Sequence, residues 1–164
     1  MFKRVDANID LPSVESEISA YWDKINAFET SVENRKNDKT FRFYDGPPFP
    51  TGSPHYGNLL AGVIKDIVPR YWTMRGYYVE RRFGWDVHGL PIEMEVQKKL
   101  NLEDPQQIDE YGIDKFNEAC RSQVQTNTEN WEKITRKIGR WVDFENDYKT
   151  MAVSYTHLRA HETC

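Results

Sequence analysis

The sequence predicts an α/β protein built on a strand, a rigid loop, a helix and a second strand, and three observations carry this prediction. Residues 40–44 are rich in aromatic side chains, which favours a strand. Residues 45–54 contain four prolines and two glycines, which neither a strand nor a helix tolerates. Apolar residues then recur at helical spacing from 59 to 71, and residues 77–83 favour a strand again. Such a βαβ order implies a parallel sheet with a right-handed crossover.

Further helices are predicted on both sides of this unit. Residues 13–28 place apolar side chains at helical spacing, which indicates an amphipathic helix before the first strand. After the second strand, residues 90–100 have the pattern of a short helix, and Asp104 followed by Pro105 has the pattern of a helix start. Residues 113–138 then form a long stretch that is polar overall and helical in its spacing.

Composition restricts the classes of protein that this chain can represent. Its 164 residues allow one compact unit, and 38% hydrophobic with 13% aromatic residues exclude a disordered chain. The net charge of −4 gives no general basic surface, so charge alone predicts no nucleic-acid partner. No apolar run reaches the roughly 18 residues of a membrane span, and we therefore expect a cytoplasmic protein without a membrane partner. Cys120 and Cys164 form no CxxC pair, so neither a disulfide framework nor a metal site is predicted.

Residues 152–164 break with the rest of the sequence. They resemble the conceptual translation of a transposase-based sequencing adapter, which predicts a non-native tail and a reading frame that is cut off rather than finished. Such a tail is expected to pack against nothing, and a natural polar extension is the alternative. The predicted organisation is an N-terminal helical extension over residues 1–39, the α/β unit over residues 40–151, and the tail.

The first candidate site lies where the rigid loop meets the following helix. His55, Gly57 and Asn58 stand at the start of that helix, where free N–H groups and the helix dipole favour phosphate. His55 and Asn58 can donate hydrogen bonds to phosphate oxygens, and Gly57 lets a purine or ribose approach the backbone. The sequence has neither GxxxxGK nor GxGxxG, so the usual phosphate-binding loops are missing. Alternatively, Ser53, His55 and Asn58 only cap the helix.

The second candidate site follows the second predicted strand. Asp86 offers a fixed negative charge for an ammonium group, and His88 offers a donor near the phosphates. Because parallel strands end at one edge of a sheet, we expect His55 and Asp86 to line a common crevice. Alternatively, Asp86 is a cap and His88 is satisfied structurally.

Several motifs, in order, resemble those of class I aminoacyl-tRNA synthetases of the isoleucyl type. His55-Tyr56-Gly57-Asn58 resembles the HIGH signature, and DGPPF at residues 45–49 is similar to the loop that precedes it. GWDVHGLPIE at residues 84–93 is similar to the isoleucyl phrase GWDxHGLPxE, in which valyl and leucyl relatives differ. The phrases at residues 139–144 and 147–151 are also typical of the family. The resemblance covers everything before the tail.

The resemblance implies the first half of a Rossmann-like nucleotide-binding fold. For the complete protein it implies ATP-dependent ligation of isoleucine to tRNA(Ile) through isoleucyl-adenylate, with ATP and Mg²⁺ entering as substrate and no metal bound by this segment. His55 and Asn58 would be catalytic, and His55, Gly57, Asn58 and His88 would bind ATP and the adenylate. The segment by itself is expected to be inactive.

The same resemblance assigns two residues to the amino-acid substrate. Pro47 would form part of the pocket wall, and Asp86 would hold the substrate ammonium. The sequence departs from the family at two positions. Asn58 replaces the fourth-position His of the HIGH signature, which keeps a donor but removes any positive charge. Pro50 stands where the family usually has a small Ala.

Two other functions fit the same residues. One is a nonenzymatic adenylate-binding or interaction module, and the other is a different small-molecule adenylyltransferase. Sequence beyond Met151 would distinguish them, because the isoleucyl function predicts a long editing insertion and a later K-M-S-K-S-like loop. Editing is expected because one methylene gives isoleucine only about a 10- to 200-fold preference over valine.

Overall fold

A computed structural model describes residues 8–50 and 52–155 of the chain, and these residues form a mixed α/β structure. Its helices are α1 (Leu11–Lys24), α2 (Ala27–Glu33), α3 (Tyr56–Met74), α4 (Leu90–Leu100), α5 (Pro105–Tyr111) and α6 (Ile113–Lys137), and its strands are β1 (Arg82–Trp85) and β2 (Asp143–Lys149). Within the described part of the chain, no helix is both long and apolar enough to cross a membrane.

The sheet is small and parallel. β1 pairs with β2 from Arg82 opposite Asp143 to Trp85 opposite Lys149. The carboxyl ends of both strands therefore lie side by side at one edge. The residues that follow each strand, 86–88 after β1 and Thr150 after β2, are brought together at that edge although more than sixty positions separate them in sequence.

The two strands expected around the loop and α3 are shorter or displaced. Of the residues expected in the first strand, only Thr40 joins a ladder, through one parallel bridge to Tyr78. Phe41 donates a backbone hydrogen bond to Tyr78 at 2.9 Å and stacks its ring on Trp72. The second strand lies later than expected, at β1, where β2 supplies its hydrogen-bonding partner. The parallel arrangement is confirmed, while the extent of each strand depends on partners distant in sequence.

One buried hydrophobic cluster holds β1, α4 and α6 together. Its buried members are Phe83, Trp85, Val87, Ile92, Val124, Trp131 and Val142. Alternate residues of β1 and its extension, Phe83, Trp85 and Val87, all point into this cluster. Because the apolar side chains of β1 are held in this cluster, the position of Asp86 and His88, which follow the strand, is defined by the core.

Local sequence signals determine the helices around this core. The Asp104 carboxylate accepts a hydrogen bond from Gln106 N at 2.9 Å and caps α5, as its position before Pro105 predicts. The observed α4 and α6 agree with the expected residues to within one position. After α3, Gly76 takes a φ of +88°, a left-handed conformation that glycine adopts without steric cost.

The N-terminal extension differs from the single helix expected over residues 13–28. The chain forms α1 and α2, separated by Asn26 in the left-handed region at a φ of +46°. Trp22 packs edge-on against Trp141, with 5.3 Å between ring centroids, and the Arg70 guanidinium lies 4.0 Å from the Trp141 ring centre. This aromatic and cationic contact attaches the extension to α3 and to the chain after α6.

The expectation that residues 152–164 pack against nothing is wrong for Tyr155. Its ring stacks on Tyr148 of β2, with 5.5 Å between centroids and 3° between planes. Tyr155 is aromatic and lies close in sequence to β2, so the face of Tyr148 is the apolar surface within its reach. Residues 156–164 lie outside the described residues.

Replacing Gly84 with Ala is expected to destabilise the chain by about 1–3 kcal/mol, because the added methyl group would overlap the Tyr148 ring across the strand pair. Urea unfolding measures the change in free energy. Gly62→Ala in α3 is the matched control, since its methyl group would meet Ile138 at an ordinary 3.6 Å and alanine favours a helix. Equal losses in the two variants would contradict the steric explanation.

Candidate active site

The rigid loop is anchored at its first residue by a buried ion-pair cluster. The Asp45 carboxylate is fully buried, with Arg140 Nη2 2.7 Å from Oδ2 and Lys65 Nζ 3.0 Å from Oδ1. The backbone carbonyl of Asp45 accepts a hydrogen bond from the Tyr148 hydroxyl. Burial, followed by the negative charge of Asp45, raises the pKa of Tyr148 to about 12, so this phenol remains a donor at neutral pH.

α6 anchors the other end of the loop through three side-chain N–H donors. Asn127 Nδ2 donates to Pro50 O at 2.8 Å, and Trp131 Nε1 donates to Gly52 O at 2.9 Å. Asn130, one turn along, donates from Nδ2 to the side chain of Ser53 at 3.0 Å. The Pro50 ring is itself fully buried. Residues 45–50 and 52–54, the described part of the loop, are therefore held by side chains from β2, α3, α6 and the segment after α6.

At the start of α3, His55 is the N-cap residue and the Asn58 side chain completes the cap, whereas Ser53, the third residue of the capping alternative, is bound by Asn130. His55 N donates to Asn58 Oδ1 at 3.0 Å, and Asn58 N donates to His55 O at 2.9 Å. This use of Oδ1 leaves the amide nitrogen as the group that Asn58 can offer to phosphate. The His55 side chain is exposed, and its imidazole lies over Gly57, where a Cβ would come 3.1 Å from His55 Cε1. Capping and phosphate binding are therefore compatible at this helix start.

At the carboxyl end of β1, Asp86 and His88 gather around one hydroxyl group. Thr150, directly after β2, donates from Oγ1 to Asp86 Oδ1 at 3.2 Å and accepts from Val87 N at 2.9 Å. The same oxygen lies 2.6 Å from His88 Nδ1. His88 Nδ1 is 3.8 Å from Asp86 Oδ1, and both side chains are partly open to solvent. A carboxylate, an imidazole and a buried hydroxyl thus form one connected group at the sheet edge.

The backbone joins the rigid loop to this group. Asp86 N donates to Pro48 O at 2.9 Å, which places the loop next to the carboxyl end of β1. Pro47 precedes this junction and lines a groove of about 980 Å³ that is bordered by residues 40–45 and by Tyr148. The other five expected site residues do not line that groove. The link from His55 to Asp86 runs through the loop, and their common crevice stays a prediction.

The family model for class I tRNA synthetases (I, L, M and V) matches residues 17–161. The chain belongs to this family. Its similarity to isoleucine–tRNA ligases is 50% identity over 155 residues in Treponema denticola and 51% over 150 residues in the protein named cytoplasmic in Saccharomyces cerevisiae. The Mycobacterium tuberculosis protein of the same name is 53% identical over 146 residues.

These synthetases are much longer than the chain. The three matches cover 94%, 92% and 89% of the chain but 14% of each relative. Among solved structures, a ternary complex of Agrobacterium radiobacter K84 agnB2 LeuRS with tRNA and LeuAMS matches with a TM-score of 0.64 and 21% identity. That match covers 95% of the chain and 18% of the leucyl protein. At this level of identity it supports the fold, which is that of a class I synthetase segment.

Within this synthetase segment, sequence reasoning missed the residues that hold the site together. Thr150, Tyr148 and Asp45 stand out in the sequence only as parts of family-like phrases, and the sequence predicts no strand at β2. Their partners lie 20 to 103 positions away, so no local pattern reveals the contacts. The one feature of the sequence that could have indicated these contacts is the order of the motifs, because residues that follow parallel strands lie at the same edge of the sheet. The described residues contain no cluster of three or more His, Cys, Asp or Glu that could hold a metal ion.

Proposed function

We propose that the complete protein is an isoleucine–tRNA ligase. It would activate isoleucine with ATP and Mg²⁺ to form isoleucyl-adenylate and pyrophosphate, and then transfer isoleucine to tRNA(Ile). The observation that carries this proposal is the 50–53% identity of nearly the whole chain to proteins of that name. We also propose a cytoplasmic location, which the name of the yeast relative supports.

The proposed chemistry needs donors rather than a nucleophile from the protein. The isoleucine carboxylate attacks the α-phosphorus of ATP, the new P–O bond forms, and the bond to pyrophosphate breaks. Catalysis then depends on positioning two anions and on stabilising charge that spreads over phosphate oxygens. His55 and Asn58 would donate to those oxygens at the start of α3, and Gly57 would let the nucleotide approach closely. His88 would donate to the adenylate.

Asp86 and Pro47 would bind isoleucine. They would lie on the side of the reacting phosphorus opposite to the nucleotide-binding residues at the start of α3. Asp86 is partly exposed and carries a negative charge at the carboxyl end of β1, which suits a substrate ammonium. Pro47 is half-buried and one residue from the junction with Asp86, so it can form apolar wall next to that charge. The loop geometry supports this division into a nucleotide side and an amino-acid side.

Replacing Asp86 with Asn in the complete enzyme is expected to raise the KM for isoleucine about 10- to 150-fold, because a hydrogen bond to a charged group contributes about 1.5–3 kcal/mol. The KM for ATP should change far less. Isoleucine-dependent exchange of pyrophosphate into ATP measures both constants. Asp104→Asn is the matched control, since it makes the same chemical change at an exposed cap where Asn serves equally well. An unchanged isoleucine KM in Asp86→Asn would remove Asp86 from the pocket.

A further inference from the structure

We propose that Thr150 is a positioning residue that couples the amino-acid side of the site to the nucleotide side. Its hydroxyl would set the direction of the Asp86 carboxylate and decide which nitrogen of His88 carries a proton. This inference rests on the proposed function, because it assigns Asp86 to the substrate ammonium and His88 to the adenylate.

The position of Thr150 is rigid. The residue follows β2 directly, its N–H donates to Trp85 O at 3.0 Å, and only 6% of it is exposed. Trp85 belongs to the buried core and is 1% exposed. The hydroxyl is therefore held in place by the end of the sheet, while the carboxylate and imidazole that it contacts are partly open to solvent.

The number of hydrogens on Thr150 makes its contacts interdependent. A hydroxyl has one proton and two lone pairs, and one lone pair accepts from Val87 N at 2.9 Å. The single proton is then shared between Asp86 Oδ1 at 3.2 Å and His88 Nδ1 at 2.6 Å. An ionised carboxylate can only accept, so when the proton goes to Asp86, Nδ1 must carry its own hydrogen and donate.

Binding of an ammonium group changes this balance. A positive charge at Asp86 weakens the carboxylate as an acceptor, and the Thr150 proton turns to His88 Nδ1. The neutral imidazole then gives up its Nδ1 hydrogen to water and takes one from water at Nε2, since the ring is open to solvent, and Nε2 becomes a donor for a phosphate oxygen. Isoleucine bound at Asp86 would in this way prepare His88 for the nucleotide, and each ligand would strengthen the binding of the other.

Three substitutions in the complete enzyme test the coupling. Thr150→Val keeps the shape but removes the hydroxyl, Thr150→Ser keeps the hydroxyl, and Thr135→Val changes an equally buried threonine in α6. The isoleucine KM and kcat come from pyrophosphate exchange. The dissociation constant of isoleucine is measured with and without the non-hydrolysable analogue adenosine 5′-(α,β-methylene)triphosphate. The ratio of the two dissociation constants reports the coupling, which a purely structural role would not change.

Thr150→Val is expected to raise the isoleucine KM about 10-fold, the equivalent of one lost hydrogen bond, and to bring the coupling ratio close to one. Thr150→Ser and Thr135→Val should retain the unsubstituted coupling ratio. If Thr150→Val does not fold, Thr150→Cys, whose thiol is a weak donor, must show the same losses. A Thr150→Val enzyme with lower thermal stability but unchanged coupling would overturn the proposal. If the proposed function itself is wrong, the unsubstituted enzyme will show no isoleucine-dependent exchange. That result is distinct from the others, and it would overturn the coupling as well.

Discussion

Replacing Asp45 with Ala is expected to lower the free energy of unfolding by about 3–5 kcal/mol, because it leaves a buried guanidinium without its countercharge. The Arg140 side chain is 6% exposed and Lys65 is 29% exposed, so Arg140 has little access to water once Asp45 is gone. The variant should also loosen the first residue of the rigid loop, which then relies on the backbone hydrogen bond from Tyr148. Urea unfolding of the chain measures the loss.

Two comparison variants make this prediction specific. Asp38→Ala removes the partner of Arg35 in an exposed ion pair, where both side chains are about 40% accessible, and should cost less than about 1 kcal/mol. Asp45→Asn keeps the shape and an acceptor for Arg140. Its loss in free energy of unfolding should fall between the losses of the other two variants. Similar losses for Asp45→Ala and Asp38→Ala would show that the buried cluster contributes no more than a surface pair.

A polypeptide of these 164 residues is expected to show no measurable isoleucine-dependent exchange of pyrophosphate into ATP. The family resemblance implies that a lysine-bearing loop in the second half of the nucleotide fold also holds the pyrophosphate. Loss of one transition-state donor from a preorganised site reduces the rate by about 100- to 1,000-fold, and here several donors and the closing wall would be missing together. The polypeptide and the complete enzyme are assayed side by side at equal concentration.

The control for this comparison is an independent measure of folding. The near-ultraviolet circular dichroism of the 164-residue polypeptide, with Trp85 and Trp131 in its core, reports whether the segment is packed during the assay. Exchange should appear with the complete enzyme and stay at background with the folded segment. Robust exchange by the segment alone would refute the argument that the phosphate-binding groups are divided between two halves of the protein.

Features with local causes were predictable from the sequence. α4, α5 and α6 follow from apolar spacing and from the Asp104-Pro105 start, and the described residues of the breaker, 45–50 and 52–54, are irregular. Features that depend on partners distant in sequence were not predictable. β1 begins later than its composition indicates because β2 decides where pairing occurs, and the break at Asn26 lies inside a continuous helical pattern.

The residues of the candidate site also divide into those that local sequence indicates and those that depend on distant partners. Asp86 and His88 could be named because they follow a predicted strand, while the crevice that Asp86 is expected to share with His55 stays a prediction. The hydroxyl that joins them belongs to Thr150, whose role depends on β2 pairing with β1 in parallel. At His55 and Asn58 the helix-capping alternative describes real hydrogen bonds, so the pattern alone could not separate a cap from a phosphate site.

The contact between Gly84 and Tyr148 limits how this protein can change over generations. The ring fills the space that any side chain at position 84 would need, and the same phenol holds the first carbonyl of the rigid loop. The two positions are therefore epistatic: a larger residue at 84 becomes tolerable only after 148 has become small. That first step would release the loop, so the path passes through an impaired intermediate.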